Sequence, residues 1–306
     1  MPIAETFRIQ GKMNDDAPRF GFVGLGHIGA PMAERLAASG TPTVVFDLRR
    51  EACERLVAAG AQVAASSADL AARADLIGIC VRDDADVRDV VLGGDGLLAG
   101  AAPGTLLAVH STILPRTAIE VAEACRARGV DLVDAAVTGG RAAAANGTLC
   151  CMIGGDASLV ERYRPAAEHL ASRVVHTGAL GTGAATKLCN NLVLYLSYLA
   201  AAESTALADA AGISRDVLFD VTGTRGSFTP PMKEILPGRD RALAGDARMR
   251  ELLASFADLA QKDLAQAIAY GRELGIALPG AERCRDLMWE VYGIGRKFGD
   301  DGGSHG

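Results

Sequence analysis

Ten residues near the start decide the fold: Phe20-Gly21-Phe22-Val23-Gly24-Leu25-Gly26-His27-Ile28-Gly29. Phe20–Val23 is a short apolar run of β type, and Ala30–Ala38 behind it has a helical pattern. A G-x-G-x-x-G between a strand and a helix is the phosphate-binding turn of a dinucleotide fold. Gly24 permits the tight turn, Gly26 lets the backbone approach a pyrophosphate, and Gly29 lets helix and strand pack closely. N–H groups at the helix start then face the phosphates. Gly24, Leu25, Gly26, His27, Ile28 and Gly29 are therefore expected to bind a dinucleotide.

Outward from this loop the pattern repeats. The runs Thr43–Phe46, Leu76–Val81, Leu106–Val109, Val130–Val133 and Leu149–Ile153 alternate with helical stretches such as Glu51–Ala59 and Arg116–Arg128. Near-continuous apolar strands alternating with helices predict a doubly wound, Rossmann-type parallel sheet covered on both faces. Asp47 closes the second strand, 18 residues beyond Gly29. An acid there accepts hydrogen bonds from ribose hydroxyls and repels a 2′-phosphate, so NAD is expected in preference to NADP. Arg49 and Arg50 follow closely, within reach of a phosphate.

After Gly178 the strand signals stop. Ala184 to Ala211 reads as one long helix, Thr222 to Asp246 as loop or short turns rich in Gly, Pro and Arg, and Arg248–Glu273 and Ala281–Tyr292 as helices. The expected organisation is an N-terminal extension over 1–18, a dinucleotide domain over 19–180, an all-helical domain over 181–298 and a tail over 299–306, with both ends disordered.

Composition narrows the function. The chain has 306 residues, 49% apolar and 22% charged, with a net charge of -6. An acidic balance argues against a nucleic-acid partner, which calls for a basic face. The longest greasy stretch, Leu192 to Ala202, is far shorter than the roughly 20 residues of a bilayer span, and the opening residues lack the apolar core of a signal peptide. Seven cysteines, none in a C-x-x-C pair, read as reduced, buried thiols of a cytoplasmic protein. The histidines lack metal-ligand spacing, so no metal is expected.

Three later segments carry chemistry. Val109-His110-Ser111-Thr112 ends a strand, where loops of an open sheet meet ligands. Thr138-Gly139-Gly140 ends another, and its glycines let backbone N–H groups converge on a carboxylate. Gly181 to Asn191 opens the long helix, with Lys187 and Asn191 four apart on one face. Lys187 falls in about the first turn, where the helix dipole and burial are expected to pull its pKa towards neutrality. A lysine so tuned serves as a general acid/base. The plainer alternatives are a surface lysine at 187, a helix cap at Ser111, and for Lys262 an ion pair with Asp258 on its own helix.

These segments resemble the β-hydroxyacid dehydrogenases, a family that includes 3-hydroxyisobutyrate dehydrogenase and tartronate semialdehyde reductase. The matching motifs are Gly21 to Ala33, Ser111-Thr112, Asp134 to Gly140 with Gly147-Thr148-Leu149, Lys187 to Asn191, and Lys262-Asp263-Leu264. The resemblance implies Lys187 as the catalytic lysine and Asn191 as the residue that orients substrate. It implies Ser111, Thr138, Gly139 and Gly140 as the carboxylate site. Thr112, Lys262, Val81 and Arg82 are implied as cofactor contacts. The chain departs from the family at His110, where many members have an acidic, polar or small residue, at Thr138 for a common serine and at Arg82 for a common proline.

The resulting expectation is an NAD-dependent dehydrogenase of a small 3-hydroxy acid or the matching semialdehyde, forming a homodimer or homotetramer through the apolar long helix. The rivals are an oxidative decarboxylase like 6-phosphogluconate dehydrogenase, which carries a much longer helical domain, an imine reductase, which usually lacks the lysine, and a non-catalytic dinucleotide-binding module.

Overall fold

The computed structural model describes residues 18–295 and 298. Of the expected N-terminal extension over 1–18, all but Pro18 lies outside the described residues, as does the expected tail over 299–306. The described residues divide into two compact units, one of 18–111 and 115–183, the other of 112–114 and the described residues from 184 onward.

The first unit holds strands β1 (Phe20–Val23), β2 (Thr43–Phe46), β3 (Gln62–Val63), β4 (Leu76–Ile79), β5 (Leu106–Val109), β6 (Asp131–Thr138), β7 (Leu149–Gly154) and β8 (Ala171–Gly178). Its helices are α1 (Gly29–Ala38), α2 (Arg50–Val57), α3 (Ser67–Ala71), α4 (Asp84–Leu92), α5 (Leu97–Gly100), α6 (Pro115–Arg126), α7 (Gly140–Asn146) and α8 (Ala157–Leu170). The strands form one sheet in the order β3-β2-β1-β4-β5-β6-β7-β8. The chain winds outward from β1 to β3, then returns to β4 and winds the other way. β1 and β4 thus flank the switch point at which open α/β sheets bind ligands.

The sheet is not purely parallel, which corrects the sequence expectation. β7 runs antiparallel to β6, and β8 runs parallel to β7. Only residues 139–148 connect β6 to β7, and a parallel crossover needs a dozen residues or more, so the chain must turn back. β8 went unseen because it is mostly half-buried or exposed and lacks an apolar run. The core is dominated by fully buried aliphatic and aromatic side chains, including Phe22, Met32, Leu36, Leu56, Leu149 and Tyr163. Each such side chain contributes roughly 1.5–3 kcal/mol of burial.

The second unit is helical. α9 (Thr182–Ala210) starts within the last residues of the first unit. It is followed by α10 (Arg215–Gly223), α11 (Pro230–Leu243), α12 (Ala247–Glu273), α13 (Pro279–Asp286) and α14 (Met288–Val291). α10 and α11 correct the expected loop over Thr222 to Asp246. Pro230 and Pro231 occupy the first helical positions of α11, which suit proline, and Pro237 is carried inside the helix. Phe228, Met232 and Leu236 recur every four residues and bury together with Ala201, and that packing overrides poor local propensity. The last expected helix is broken at Leu287 into α13 and α14. No helix among the described residues is long and apolar enough to cross a membrane.

The cysteines are all free, but they are not all buried: Cys189 is exposed, and Cys80 and Cys150 are half-buried. Cys189 lies on a helix whose apolar positions do not all face inward, so an apolar neighbourhood in sequence misplaced it. No group of metal-ligating side chains occurs among the described residues.

Candidate active site

In the first unit the glycine loop leaves β1 and enters α1 at Gly29. A Cβ on Gly24 would stand 2.3 Å from the Cys80 carbonyl oxygen, and one on Gly29 would stand 2.0 Å from the Gly24 carbonyl oxygen. Gly24 also has a φ of 91°, a conformation that glycine adopts at little cost. A Cβ on Gly26 would meet nothing within 4 Å. The loop is therefore packed tightly at both ends and open in the middle, as backbone approach by a pyrophosphate requires, so the residues present fit a dinucleotide.

Asp47 is bound to this loop. Its Oδ2 accepts the Leu25 N–H at 2.7 Å, and its Oδ1 accepts the Arg49 N–H at 2.8 Å and lies 3.3 Å from Arg49 Nε. The Leu25 N–H is thus committed to Asp47, which leaves the phosphate role to residues nearer the helix. His27 is exposed; partial desolvation of its ring, then the Arg141 charge, lowers its pKa. Arg141 donates to the His27 carbonyl at 3.0 Å. It brings a cation to the phosphate loop from α7, a residue that sequence reasoning missed, although it directly follows the Gly139-Gly140 pair.

Beyond β4, the Val81 N–H donates to Ser111 Oγ at 2.8 Å. Ser111 is buried and joins the carboxyl ends of β4 and β5. Arg82 instead points along the surface into an ion pair with Asp86 at 2.9 Å. Gly139 and Gly140 have φ of 132° and 73°, so these two consecutive positions suit glycine, and α7 starts on them. His110 is fully buried with no charge beside it: Nδ1 lies 2.6 Å from the Ala135 carbonyl and Nε2 2.7 Å from the Tyr163 hydroxyl. Burial pushes its pKa down to about 4, only partly opposed by the Ala135 bond. In sequence it stands only as a departure from the family pattern, without a role.

In the second unit Lys187 and Asn191 share a face of the continuous helix α9. Because that helix starts at Thr182, Lys187 is its sixth residue and lies in the second turn, not the first. A dipole effect fades within the first turn, so the expected dipole contribution to Lys187 is weak. Lys187 is half-buried and Asn191 buried.

Asn191 is held by Asp263, which sequence reasoning quoted within a motif without giving it a role. The Asp263 carboxylate is 3% exposed. Its Oδ2 accepts from Asn191 Nδ2 at 2.8 Å and from the Tyr195 hydroxyl at 3.1 Å. Its Oδ1 lies 2.8 Å from Lys262 Nζ as an ion pair rather than an aligned hydrogen bond. Lys262 also donates to the Thr112 carbonyl at 3.3 Å and to Gln266 Oε1 at 3.4 Å. Its acid partner is therefore Asp263, not Asp258. The signal available in sequence was that an acid inside an apolar helix run must find donors.

Two family models match the chain. One describes the NAD binding domain of 6-phosphogluconate dehydrogenase and covers residues 19–178. The other describes NAD-binding of NADP-dependent 3-hydroxyisobutyrate dehydrogenase and covers residues 181–301. An uncharacterised oxidoreductase of Mycobacterium tuberculosis is 41% identical, over 91% of this chain and 95% of that protein. An NAD-dependent L-serine dehydrogenase of Pseudomonas aeruginosa is 39% identical, over 83% of this chain and 87% of its own length. Among solved structures, the 3-hydroxyisobutyrate dehydrogenase of Mycobacterium tuberculosis with L-serine has a TM-score of 0.75 and 31% identity, over 89% of this chain and 93% of that one.

Proposed function

This chain belongs to the β-hydroxyacid dehydrogenase family and is a nicotinamide-dependent oxidoreductase, and from that premise we propose that it oxidises a small 3-hydroxy acid to the matching semialdehyde, reversibly, with NAD and with Lys187 as general acid/base. The observation that carries the proposal is the pairing of Lys187 with Asn191 on one face of α9, with the Asn191 amide oriented by a buried carboxylate. L-Serine and 3-hydroxyisobutyrate are both carboxylates bearing a hydroxyl on the third carbon, and the names of relatives point to that class.

The dinucleotide is assigned to the loop from Gly24 to Gly29, with Asp47 for the ribose and Val81, Arg82, Thr112 and Lys262 as further contacts. When bound, the nicotinamide supplies a two-electron hydride acceptor. The chain's own residues do the rest. Lys187, in its neutral form, takes the proton from the substrate hydroxyl; in the reverse direction its ammonium returns the proton to the forming alkoxide. The Ser111 hydroxyl, whose oxygen already accepts from Val81, keeps its proton to donate to the substrate carboxylate. Thr138 and the backbone N–H groups of Gly139 and Gly140 complete that cradle. Holding the carboxylate fixes the distance to the reacting carbon. Asn191 orients the hydroxyl.

A homo-oligomer belongs to the same proposal. Val193 and Leu207 on α9 are 70% and 73% exposed in a single copy, and a second copy of the chain is the occupant that would cover them. The free cysteines suit a cytoplasmic setting.

The test is a nicotinamide absorbance assay with NAD and NADP on a panel of 3-hydroxy acids including L-serine, the matching semialdehydes, sugar acids and imines. Turnover only of imines or only of sugar acids sinks the proposal, and NAD binding without turnover of any compound favours the non-catalytic alternative. Light scattering at micromolar concentration tests the oligomer; a monomer counts against it.

A further inference from the structure

His110 occupies the point where one β-ladder stops. The register pairs of β5 with β6 run from Leu106–Asp131 to Val109–Asp134 and end there, while β6 continues to Thr138 against β7 alone. One residue further, the His110 backbone N–H still donates to Ile79 of β4 at 2.8 Å. On its other side the imidazole reaches the Ala135 carbonyl of β6 at 2.6 Å. A carbonyl can only accept, so Nδ1 carries the proton and Nε2 is the acceptor of the Tyr163 hydroxyl at 2.7 Å. The ring also stacks on Phe22 of β1, with centroids 5.9 Å apart and planes 11° apart. Gly78 of β4 makes that stacking possible, since a Cβ there would stand 2.7 Å from the Phe22 ring and 3.3 Å from His110 Cδ2.

We propose that His110 is a positioning residue whose side chain supplies the missing β5–β6 rung and so sets the spacing between Ser111 and Thr138-Gly139-Gly140. Ser111 is its chain neighbour, and Ala135 is three residues before Thr138. These are the two segments assigned to the substrate carboxylate, so the inference rests on that reading. Tyr163 holds the Nδ1–H tautomer by donating its hydroxyl hydrogen bond to Nε2. A fixed spacing matters because a carboxylate held by donors on two strand ends is gripped only if those ends keep their separation.

Two isosteres separate the halves of the ring. His110→Asn places an N–H donor near Nδ1 and keeps the rung; His110→Gln places its amide near Nε2 and loses it. The measurements are KM and kcat for the best 3-hydroxy acid of the panel, the NAD dissociation constant by fluorescence, and Tm. His110→Gln is expected to raise KM by about 10-fold, the equivalent of roughly one hydrogen bond, and His110→Asn by no more than about 3-fold. NAD affinity is expected to stay within about 2-fold in both, although both lose Tm. Equal changes in KM, the reverse order, or changes that follow Tm alone would overturn the inference. If neither variant folds, Tyr163→Phe decides: about a 3-fold rise in KM with unchanged NAD affinity supports the inference, and an unmoved KM ends it. Wild-type enzyme without activity on any hydroxy acid would instead defeat the functional reading, so the two failures are distinguishable.

Discussion

The two units build their functional parts in opposite ways. The first relies on backbone: a loop whose glycines are compressed at Gly24 and Gly29 and open at Gly26, and a second turn with positive φ at Gly139 and Gly140. The second relies on side chains projecting from long helices, with Lys187 and Asn191 on α9 and Lys262 and Asp263 on α12. Their buried polar groups differ in the same sense. His110 is kept neutral among neutral partners, whereas Asp263 lies against a lysine and two hydrogen-bond donors. A backbone-built site is broken by adding atoms and a side-chain site by removing them.

The largest expected effect comes from removal in the second unit. Lys187→Ala is expected to lower turnover by about 10²–10⁴-fold or more, the range of general acid/base catalysis, and to leave NAD affinity within about 3-fold. Lys187→Arg should fail almost as badly, because a guanidinium does not deprotonate near neutral pH. Retention of a tenth of the wild-type rate by Lys187→Ala would refute the mechanism. A joint loss of turnover and NAD binding would erase the contrast between the units.

Next is acid sensitivity in the first unit. His110 has a folded pKa of about 4 against 6.5 for the free group. The folded state therefore resists the proton that the unfolded chain accepts. The resulting stability is complete above pH 6.5 and drains away as pH falls towards 4, by about 3 kcal/mol in all. Denaturant titrations at pH 7 and pH 4.5 measure it, and His110→Asn should flatten this part of the profile. An equally steep profile in the variant would assign the effect to other groups.

How much of this was legible in the sequence follows the same division. The glycine loop, four strands to the residue or within one of it, and the helix α9 were readable because period, breaker and motif agree locally. The reversal at β7 was hidden in a connection length, and α11 in a proline-rich stretch that only burial against Ala201 makes helical. The candidate residues Lys187, Asn191 and Lys262 were named, but the Asp263 hub that joins two of them was not. Its hydrogen-bond donors Asn191 and Tyr195 lie 72 and 68 residues away, and no local pattern encodes such a pairing. His110 was visible as a departure from the family pattern, yet its meaning depended on Ala135 and Tyr163.

Adding single methyl groups sharpens the backbone side. Gly29→Ala forces a Cβ against the Gly24 carbonyl, and overpacking of this kind costs about 1–3 kcal/mol. Gly26→Ala meets no protein atom and should leave stability within about 0.5 kcal/mol while weakening NAD by about 10-fold. Thermal melts with and without NAD distinguish them. If Gly26→Ala binds NAD as wild type does, the open middle of the loop is not where the pyrophosphate lies.

The smallest effect concerns the choice of cofactor, and it tests whether a side chain can matter in the backbone-built unit. Asp47 is only 12% exposed at its side chain and uses both oxygens within the protein, one for Leu25 and one for Arg49. Arg49 is 67% exposed, and its guanidinium also reaches the Leu25 carbonyl at 3.4 Å. In Asp47→Ala the ribose loses an acceptor and Arg49 loses its acid, which frees a cation suited to a 2′-phosphate. NAD is expected to weaken and NADP to hold or tighten, so the ratio of their dissociation constants should move by about 10-fold towards NADP. Arg49→Ala should move it the other way, mainly by weakening NADP. Fluorescence titration of both cofactors on the wild type and the two variants gives the ratios directly. Wild-type preference for NADP would overturn the assignment of Asp47 to the ribose. An unchanged ratio in Asp47→Ala would mean that the carboxylate only braces the glycine loop through Leu25.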